Sequence, residues 1–161
     1  MMIDHDPKPT IRADSEPHPE AVVAPGYLSN YASRVFNRLV DNRLRRHDLS
    51  LALIGPLLLL SWKGAMLQRD LVRMSAVKQP AMVALLDKLQ AAGLIVRAAS
   101  TTDKRAAMVD LTEEGQAAAA TGRTILLEVN AEAVGDFTDT EAEQIVTLLS
   151  RFTANLEKLS Q

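Results

Sequence analysis

Apolar residues recur every three or four positions through most of the chain, a spacing typical of amphipathic helices. The first such segment is residues 27–47, in which arginines fill positions between the apolar ones. The second, residues 50–62, is apolar on every side, so we expect it to be buried, with Ser50 as its N-cap. Pro56 lies inside it, and because proline removes a backbone N–H, we expect a kink or a late helix start there.

Two further helices are predicted to follow, joined by a short turn. The first covers residues 66–75. The second begins near Val77 or Lys78, because Pro80 is tolerated only in a first turn, and Gly93 closes it just after the C-cap. We expect its apolar stripe to comprise Val77, Ala81, Leu85, Leu86 and Leu89.

The period then changes from helical to alternating, which indicates the two strands of a β-hairpin. The apolar positions lie in residues 94–96 and 107–111, and the polar segment 100–105 between them ends in an arginine. Thr112 is the predicted N-cap of a helix over residues 113–134, whose first turn carries two glutamates.

The last predicted helix, residues 139–160, begins at a capping box formed by Thr138 and Glu141. A long apolar stripe runs along one side of it. Because no later element of the sequence follows, we expect the first helix or a second subunit to cover this stripe. It consists of Ile145, Leu148, Leu149, Phe152, Leu156 and Leu159.

The element order is therefore α-α-α-α-β-β-α-α, and the predicted fold class is mainly α with a small β-hairpin. Two helices joined by a tight turn and followed by a hairpin make a winged helix-turn-helix, whose core we place over residues 50–112. Residues 1–25 hold five of the seven prolines and lack an apolar period. We predict a flexible arm there and a single domain over residues 26–161.

Composition narrows the possible functions. The 161 residues are 47% hydrophobic, enough for a sizeable core, and include no cysteine, which excludes disulfides and thiol redox switches. The three histidines lack metal-ligand spacing, and no nucleophile–base pair or phosphate loop is evident, so we expect no cofactor, no metal and no enzyme activity. The start does not resemble a signal peptide and the longest apolar run is too short to span a bilayer, so we expect a cytoplasmic protein.

Charge is distributed unevenly along the chain. The net charge is −2, but residues 61–112 hold 8 basic and 4 acidic residues, whereas residues 113–161 hold 3 and 9. A basic segment within the predicted winged helix suits contact with phosphates.

In a helix-turn-helix, the start of the second helix enters the DNA major groove and the first helix braces it. An arginine on an extended hairpin tip can reach the minor groove. The candidates are Lys78, Gln79, Ala81, Met82 and Val83 for base contacts, Arg69 and Arg73 for phosphates, and Arg105 for the minor groove.

Three motifs resemble the MarR (multiple-antibiotic-resistance regulator) family of winged helix-turn-helix transcription factors. They are LQRDLV, QPAMVALLDKLQAAGLIVR and DKRAAMVDLTEEG, and the flanking helices extend the similarity to roughly residues 27–160. The resemblance implies that Arg105 enters the minor groove, that Asp103 helps to orient it, and that Lys104 lies near a phosphate. The sequence departs from the family at Val83 and Ala84, where many members carry a hydroxyl and an arginine or other polar residue.

The resemblance further implies a homodimer held by the helices over residues 27–47 and 139–160, with each subunit bound to half of a palindromic duplex. It also implies release by a small ligand, bound between the dimerisation helices and the winged-helix lobe. Candidate ligand-binding residues are Tyr31, Arg38, Trp62 and Met66, because aromatic walls with a cation suit an aromatic or anionic organic effector. The alternative is that Tyr31 and Trp62 are core residues and Arg38 a solvated charge.

Two functions remain open on the sequence. The first is a ligand-responsive, dimeric DNA-binding transcription regulator acting as a repressor. The second is a winged-helix adaptor that binds another protein and no DNA, which the acidic C-terminal region and the apolar start of the recognition helix keep open.

Overall fold

Six α-helices and three short strands make up the part of the chain that the computed structural model describes, residues 18–99, 101 and 106–160. Single 3₁₀ turns at Ala21–Val23 and Arg45–His47 flank the first helix. The helices are α1 (Pro25–Leu44), α2 (Leu51–Lys63), α3 (Gln68–Met74), α4 (Gln79–Ala91), α5 (Glu113–Ala133) and α6 (Asp139–Leu159); the strands are β1 (Met66–Leu67), β2 (Ile95–Ala99) and β3 (Ala107–Leu111). The prediction of a mainly helical fold with a small hairpin is confirmed.

The sheet contains one strand that the sequence pattern did not predict. β1 pairs antiparallel with β3 through Met66 opposite Val109, so the strand order is β1-β3-β2. Two residues are too few to show an alternating pattern. β2 also extends further than residues 94–96, because its pairing with β3 continues to Ala99 opposite Ala107.

The chain divides into two compact units, Met1–Arg38 and Leu39–Gln161. In the first unit, the described residues include the 3₁₀ turn Ala21–Val23 and the greater part of α1. The rings of Tyr27 and Tyr31 stack there with centroids 6.3 Å apart. Residues 1–17, most of the predicted arm, lie outside the described residues.

The second unit is built around a core that α2, α3, α4 and the sheet share. α2 packs along α5, where Gly122 allows a close approach: a Cβ at this position would lie 3.0 Å from Cγ2 of Ile54. The prediction that α2 is buried on every side is wrong, because Ala52, Gly55 and Trp62 are exposed. Fully buried core side chains include Leu57, Leu60, Leu71, Met82, Leu86, Leu89, Ile95 and Val109.

The helix ends follow the predicted local signals. The Ser50 hydroxyl accepts a hydrogen bond from the Leu53 amide (3.3 Å), and Thr138 and Glu141 form the predicted capping box. The amide and the hydroxyl of Thr138 both donate to the Glu141 carboxylate. These two hydrogen bonds, and the one from the amide most, lower the pKa of Glu141. Gly93 has a φ of +73°, the left-handed conformation that suits glycine after a helix.

Pro56 does not delay the start of α2, so the prediction of a late start is wrong. The helix begins at Leu51, whose amide donates to the Asp41 carboxylate at 2.6 Å. Proline at position 56 leaves the carbonyl of Ala52 without its usual helical donor. Ala52 is exposed, so water can supply that donor, and the helix continues to Lys63.

The described residues include neither a membrane-spanning helix nor a metal-binding cluster of side chains. None of the helices in residues 18–99 and 106–160 is long and apolar enough to cross a membrane. No group of three or more histidine, aspartate or glutamate side chains in the same residues could hold a metal ion.

Candidate nucleic-acid interface

The turn between α3 and α4 is organised by the hydroxyl of Ser75. The Val77 amide donates to the Ser75 Oγ at 3.2 Å, and this hydroxyl lies 3.3 Å from the Val72 carbonyl, to which it can donate. A serine here closes the turn between the two helices, while the fully buried Leu71 anchors α3 in the core. The sequence pattern did not predict these hydrogen bonds.

The start of α4 is largely exposed. Lys78 is the N-cap in an extended conformation, and Pro80 lies in the first turn. Gln79, Pro80, Ala81 and Ala84 are exposed, and Val83 is half-buried. Lys78 is also exposed, so Lys78 and Gln79 are accessible to a ligand, and their contact with bases stays a prediction.

Met82 is a correction to the predicted interface. Its side chain is fully buried and shares a stripe with Leu86 and Leu89, at the four- and three-residue steps of a helix face. The predicted stripe contained Ala81 instead, which is exposed. The start of α4 therefore presents the methyl group of Ala81 outward and uses Met82 as a core residue.

A cleft of about 270 Å³ lies where α3, α4 and the sheet meet. Its lining includes Arg69 from the first turn of α3, Gln79 from the start of α4 and Ala107 from β3. Arg73 lies one turn further along α3, is largely exposed, and forms an ion pair with Asp70 at 3.1 Å. Two predicted phosphate-binding arginines and a predicted base-reading glutamine are therefore carried by the two helices that border this cleft.

The hairpin of β2 and β3 is the wing. Its last described pair is Ala99 opposite Ala107, so residues 100–106 connect the two strands. The predicted wing residues Asp103, Lys104 and Arg105 lie outside the described residues.

Arg97 connects the wing to the recognition helix, a role that sequence reasoning missed. It projects from β2, and its Nε donates to Oε1 of Gln90 at 2.5 Å while Nη2 pairs with Oδ1 of Asp87 at 2.5 Å. Asp87 and Gln90 are three residues apart on α4 and so share one side of the helix. The only sequence signal was this spacing of two polar residues, and it does not identify an arginine on a strand as their partner.

A third ion pair lies at the C-terminal end of α5. Arg43, near the end of α1, makes two hydrogen bonds to the Glu132 carboxylate, the longer at 2.9 Å. These bonds lower the pKa of Glu132 and raise the pKa of Arg43. Since the carboxylate pKa is lowered, the stabilisation is present above its unfolded value and is lost as the pH falls through the lowered pKa.

The predicted effector residues are distributed over both units. Tyr31 and Arg38 belong to the first unit, where the Arg34 guanidinium lies 5.9 Å from the Tyr31 ring centroid. In the second unit, Met66 is half-buried in β1. Trp62 is 74% exposed, with the Lys63 ammonium 3.9 Å from the centroid of its ring. Trp62 is thus not a core residue in this chain, and the effector pocket stays a prediction.

The apolar stripe of α6 is present and uncovered. None of the described residues of α6 is buried. Of the six residues of the predicted stripe, five are at least one-third exposed: Ile145, Leu148, Leu149, Leu156 and Leu159.

The chain is similar to known proteins both in sequence and in fold. Residues 57–106 match the model of the MarR family. A probable transcriptional regulator from Pseudomonas aeruginosa is 25% identical, with a TM-score of 0.72 over 81% of this chain and 98% of its own. MepR of Staphylococcus aureus in complex with DNA is 22% identical, with a TM-score of 0.74 over 82% of this chain and 98% of its own.

A third similar structure is that of BpsR from Bordetella bronchiseptica, whose DNA binding is regulated by 6-hydroxynicotinic acid. It is 23% identical, with a TM-score of 0.69 over 80% of this chain and 97% of its own. The family match begins within α2 and continues through the helix-turn-helix and β2, so it includes the candidate interface. MarR proteins are transcription regulators and not enzymes, which confirms the expectation of no enzyme activity. Residues 57–106 thus match the MarR family of winged helix-turn-helix transcription regulators, and the fold of the chain is MarR-like.

Proposed function

We propose that this protein is a dimeric, ligand-responsive repressor of transcription that binds a palindromic operator. The start of α4 enters the major groove, Arg69 and Arg73 contact phosphates, and Arg105 of each wing reaches the adjoining minor groove with Asp103 and Lys104 beside it. The observation that carries this proposal is the exposed first turn of α4, which borders a cleft together with Arg69 and the base of the wing. The DNA complex of the similar MepR supports it.

The test is enrichment from a pool of random duplexes by the purified protein at low salt. We expect recovered sequences to contain two inverted half-sites about one helical turn apart, because a two-fold dimer places its recognition helices at that spacing. The adaptor alternative is favoured if no duplex is retained, since the acidic C-terminal segment and the apolar start of α4 also suit a protein partner.

The uncovered stripe of α6 supports the dimer. Large contiguous apolar patches on a soluble chain typically mark protein–protein interfaces. In Leu149→Glu, a charge placed in this patch is expected to shift the protein to monomers in sedimentation velocity. It is also expected to weaken operator binding by about tenfold or more, because the two half-sites no longer bind as one unit.

The matched control is Ala154→Glu, which places the same charge at an exposed position on the opposite face of α6. It is expected to remain dimeric with unchanged affinity. Dimers of normal affinity in Leu149→Glu would contradict the assignment of this stripe to the subunit interface.

Arg97 is expected to matter more for DNA binding than for stability. Its ion pair with Asp87 is largely solvent-accessible on the aspartate side, so Arg97→Ala should cost less than about 1 kcal/mol of unfolding free energy. The same change frees the wing from α4, and we expect operator affinity to fall about fivefold, because two groove-binding elements lose their relative orientation. Fluorescence anisotropy with an enriched duplex measures this loss.

Arg43→Ala is the control for Arg97→Ala. It removes an ion pair to Glu132 at the end of α5 away from the wing, and it also deletes one positive charge. Its operator affinity is expected to stay within twofold of the wild type, a margin of less than about 0.5 kcal/mol. Equal losses in both variants would mean that charge alone, and not the link between wing and helix, sets the effect.

The effector that we propose is a small aromatic or anionic organic molecule. Regulation of BpsR by 6-hydroxynicotinic acid, an aromatic acid, supports this class of ligand. The candidates that would hold it are Tyr31, Arg38, Trp62 and Met66.

A further inference from the structure

The exposed start of α4 is unusually poor in hydrogen-bonding side chains for a DNA-reading surface. In its first two turns the outward positions are Pro80, Ala81 and Ala84, all exposed, with Val83 half-buried beside them. Hydrogen-bonding groups are found only at the N-terminal edge, on Lys78 and Gln79. In these two turns, the face that points away from the core therefore consists of methyl and methylene groups.

Two polar residues follow on this face, Asp87 and the exposed Lys88, and the first of them is already engaged. Asp87 lies three residues after Ala84, and its carboxylate pairs with Arg97 of the wing strand. Acceptance of a hydrogen bond from a cytosine amine would require Asp87 to share or release that partner. The carboxylate is thus better explained as a support for the wing than as a reader of bases.

Small apolar side chains suit one feature of the major groove. Thymine is the only base of unmodified DNA that presents a methyl group there, and apolar side chains recognise it by direct contact. Alanine and proline also allow the helix backbone to approach the base edges closely, since no long side chain stands between them. Burial of a methyl group between two apolar surfaces removes it from water and strengthens binding.

We propose that the recognition helix selects its operator by contact with thymine methyl groups, with Ala84 at the centre of the contact and Ala81 and Pro80 beside it. Gln79 is then the hydrogen-bonding reader, suited to adenine by a bidentate contact. This inference rests on the proposed function, because it requires α4 to lie in the major groove. It specifies half-sites rich in A·T pairs that are read from the major groove.

The test uses uracil, which pairs like thymine but lacks the methyl group. Duplexes enriched from the random pool are resynthesised with each thymine of a half-site replaced in turn by uracil. At the contacted positions we expect about fourfold weaker binding per methyl removed, and about fifteenfold when the symmetric position is replaced as well.

Variants of α4 link this effect to the proposed residue. Ala84→Gly removes the contacting methyl group, so uracil substitution at its partner thymine should no longer change the affinity of this variant. Ala91→Gly is the matched control, because Ala91 is an exposed alanine at the other end of the same helix. This control should keep the full uracil effect, and circular dichroism establishes that both variants are folded at the temperature of measurement.

The outcomes separate the inference from the function on which it rests. Tight, sequence-selective binding that tolerates uracil at every position would overturn the methyl contact and leave DNA binding intact. A uracil effect that persists in full in Ala84→Gly would overturn the assignment to Ala84. Failure to enrich any duplex would remove both the inference and the proposed function.

Discussion

Replacement of Gly115 by alanine is expected to lower the free energy of unfolding by about 3 kcal/mol, the upper end of the range for overpacking a core. A Cβ at this position would lie 1.9 Å from the carbonyl oxygen of Leu94 and 3.2 Å from the Leu111 side chain. Neither neighbour can move easily. The Leu94 carbonyl accepts the Thr112 amide at 3.1 Å, and the Thr112 hydroxyl donates to the Gly93 carbonyl at 2.6 Å.

These contacts connect the end of the recognition helix to the start of α5. The Thr112 hydroxyl also accepts the Gly115 amide at 3.0 Å, so one side chain caps α5 and binds the turn before β2. Any shift of α5 that makes room for a methyl group at residue 115 must disturb this turn. We therefore expect Gly115→Ala to weaken operator binding as well as stability.

Gly55→Ala is the control for Gly115→Ala. Gly55 lies inside α2, and apart from its chain neighbours and the backbone of its own helix, nothing stands within 4 Å of the position that its Cβ would occupy. Alanine gains helix propensity there, but its Cβ also meets the ring of the following Pro56, so we expect the two effects to offset each other to within about 1 kcal/mol. Urea denaturation measures both variants, and a Gly115→Ala protein as stable as the wild type would contradict the close approach to Leu94.

Arg105→Ala is expected to cause the largest loss of DNA affinity of any single substitution considered for this chain, about a hundredfold, against about tenfold for Gln79→Ala. An arginine in a narrow minor groove is held by the strong negative potential of that groove. With Val83 and Ala84 in the recognition helix, α4 offers few hydrogen bonds, so the wing supplies a larger share of the binding free energy. The prediction rests on the sequence, together with the strand ends at Ala99 and Ala107 that make residues 100–106 the wing connection.

The affinities of both variants are measured by anisotropy with the same enriched duplex. Arg123→Ala, which removes an exposed arginine from α5, controls for the loss of charge and is expected to bind normally. Arg105→Ala should also reduce the steepness of the salt dependence, since it removes a cationic contact in each subunit. Losses that are equal in Arg105→Ala and Gln79→Ala, or larger in the latter, would place the main recognition in α4.

The helix ends and the fold class could be predicted because their causes are local. Ser50, Thr112 and Thr138 cap helices through hydrogen bonds that span three residues, and Gly93 takes the conformation that its position after a helix requires. Such signals lie within a few letters of the sequence. The hairpin was predicted for the same reason, from the alternation in residues 107–111.

The features that were missed depend on contacts between distant segments. β1 exists because Met66 and Leu67 meet β3 more than forty residues later, and Arg97 finds its partners on a different element. Met82 was assigned to the wrong side of α4 because the predicted stripe began at Val77, which lies before the first residue of the helix. A stripe through Ala81 and a stripe through Met82 differ by one residue. Because both residues are apolar, apolar spacing alone does not show which of the two stripes is buried.

The salt dependence of binding to an enriched palindromic duplex tests the central claim most directly. We expect nanomolar affinity at low salt, a linear fall of log K with log salt concentration, and a slope of about −0.9 for each phosphate that the protein neutralises. A dimer in which Arg69, Arg73, Lys104 and Arg105 of each subunit displace counterions should therefore show a slope of about −7. Absence of binding at low salt, or binding that does not change with salt, would contradict the account of this protein as a DNA-binding regulator.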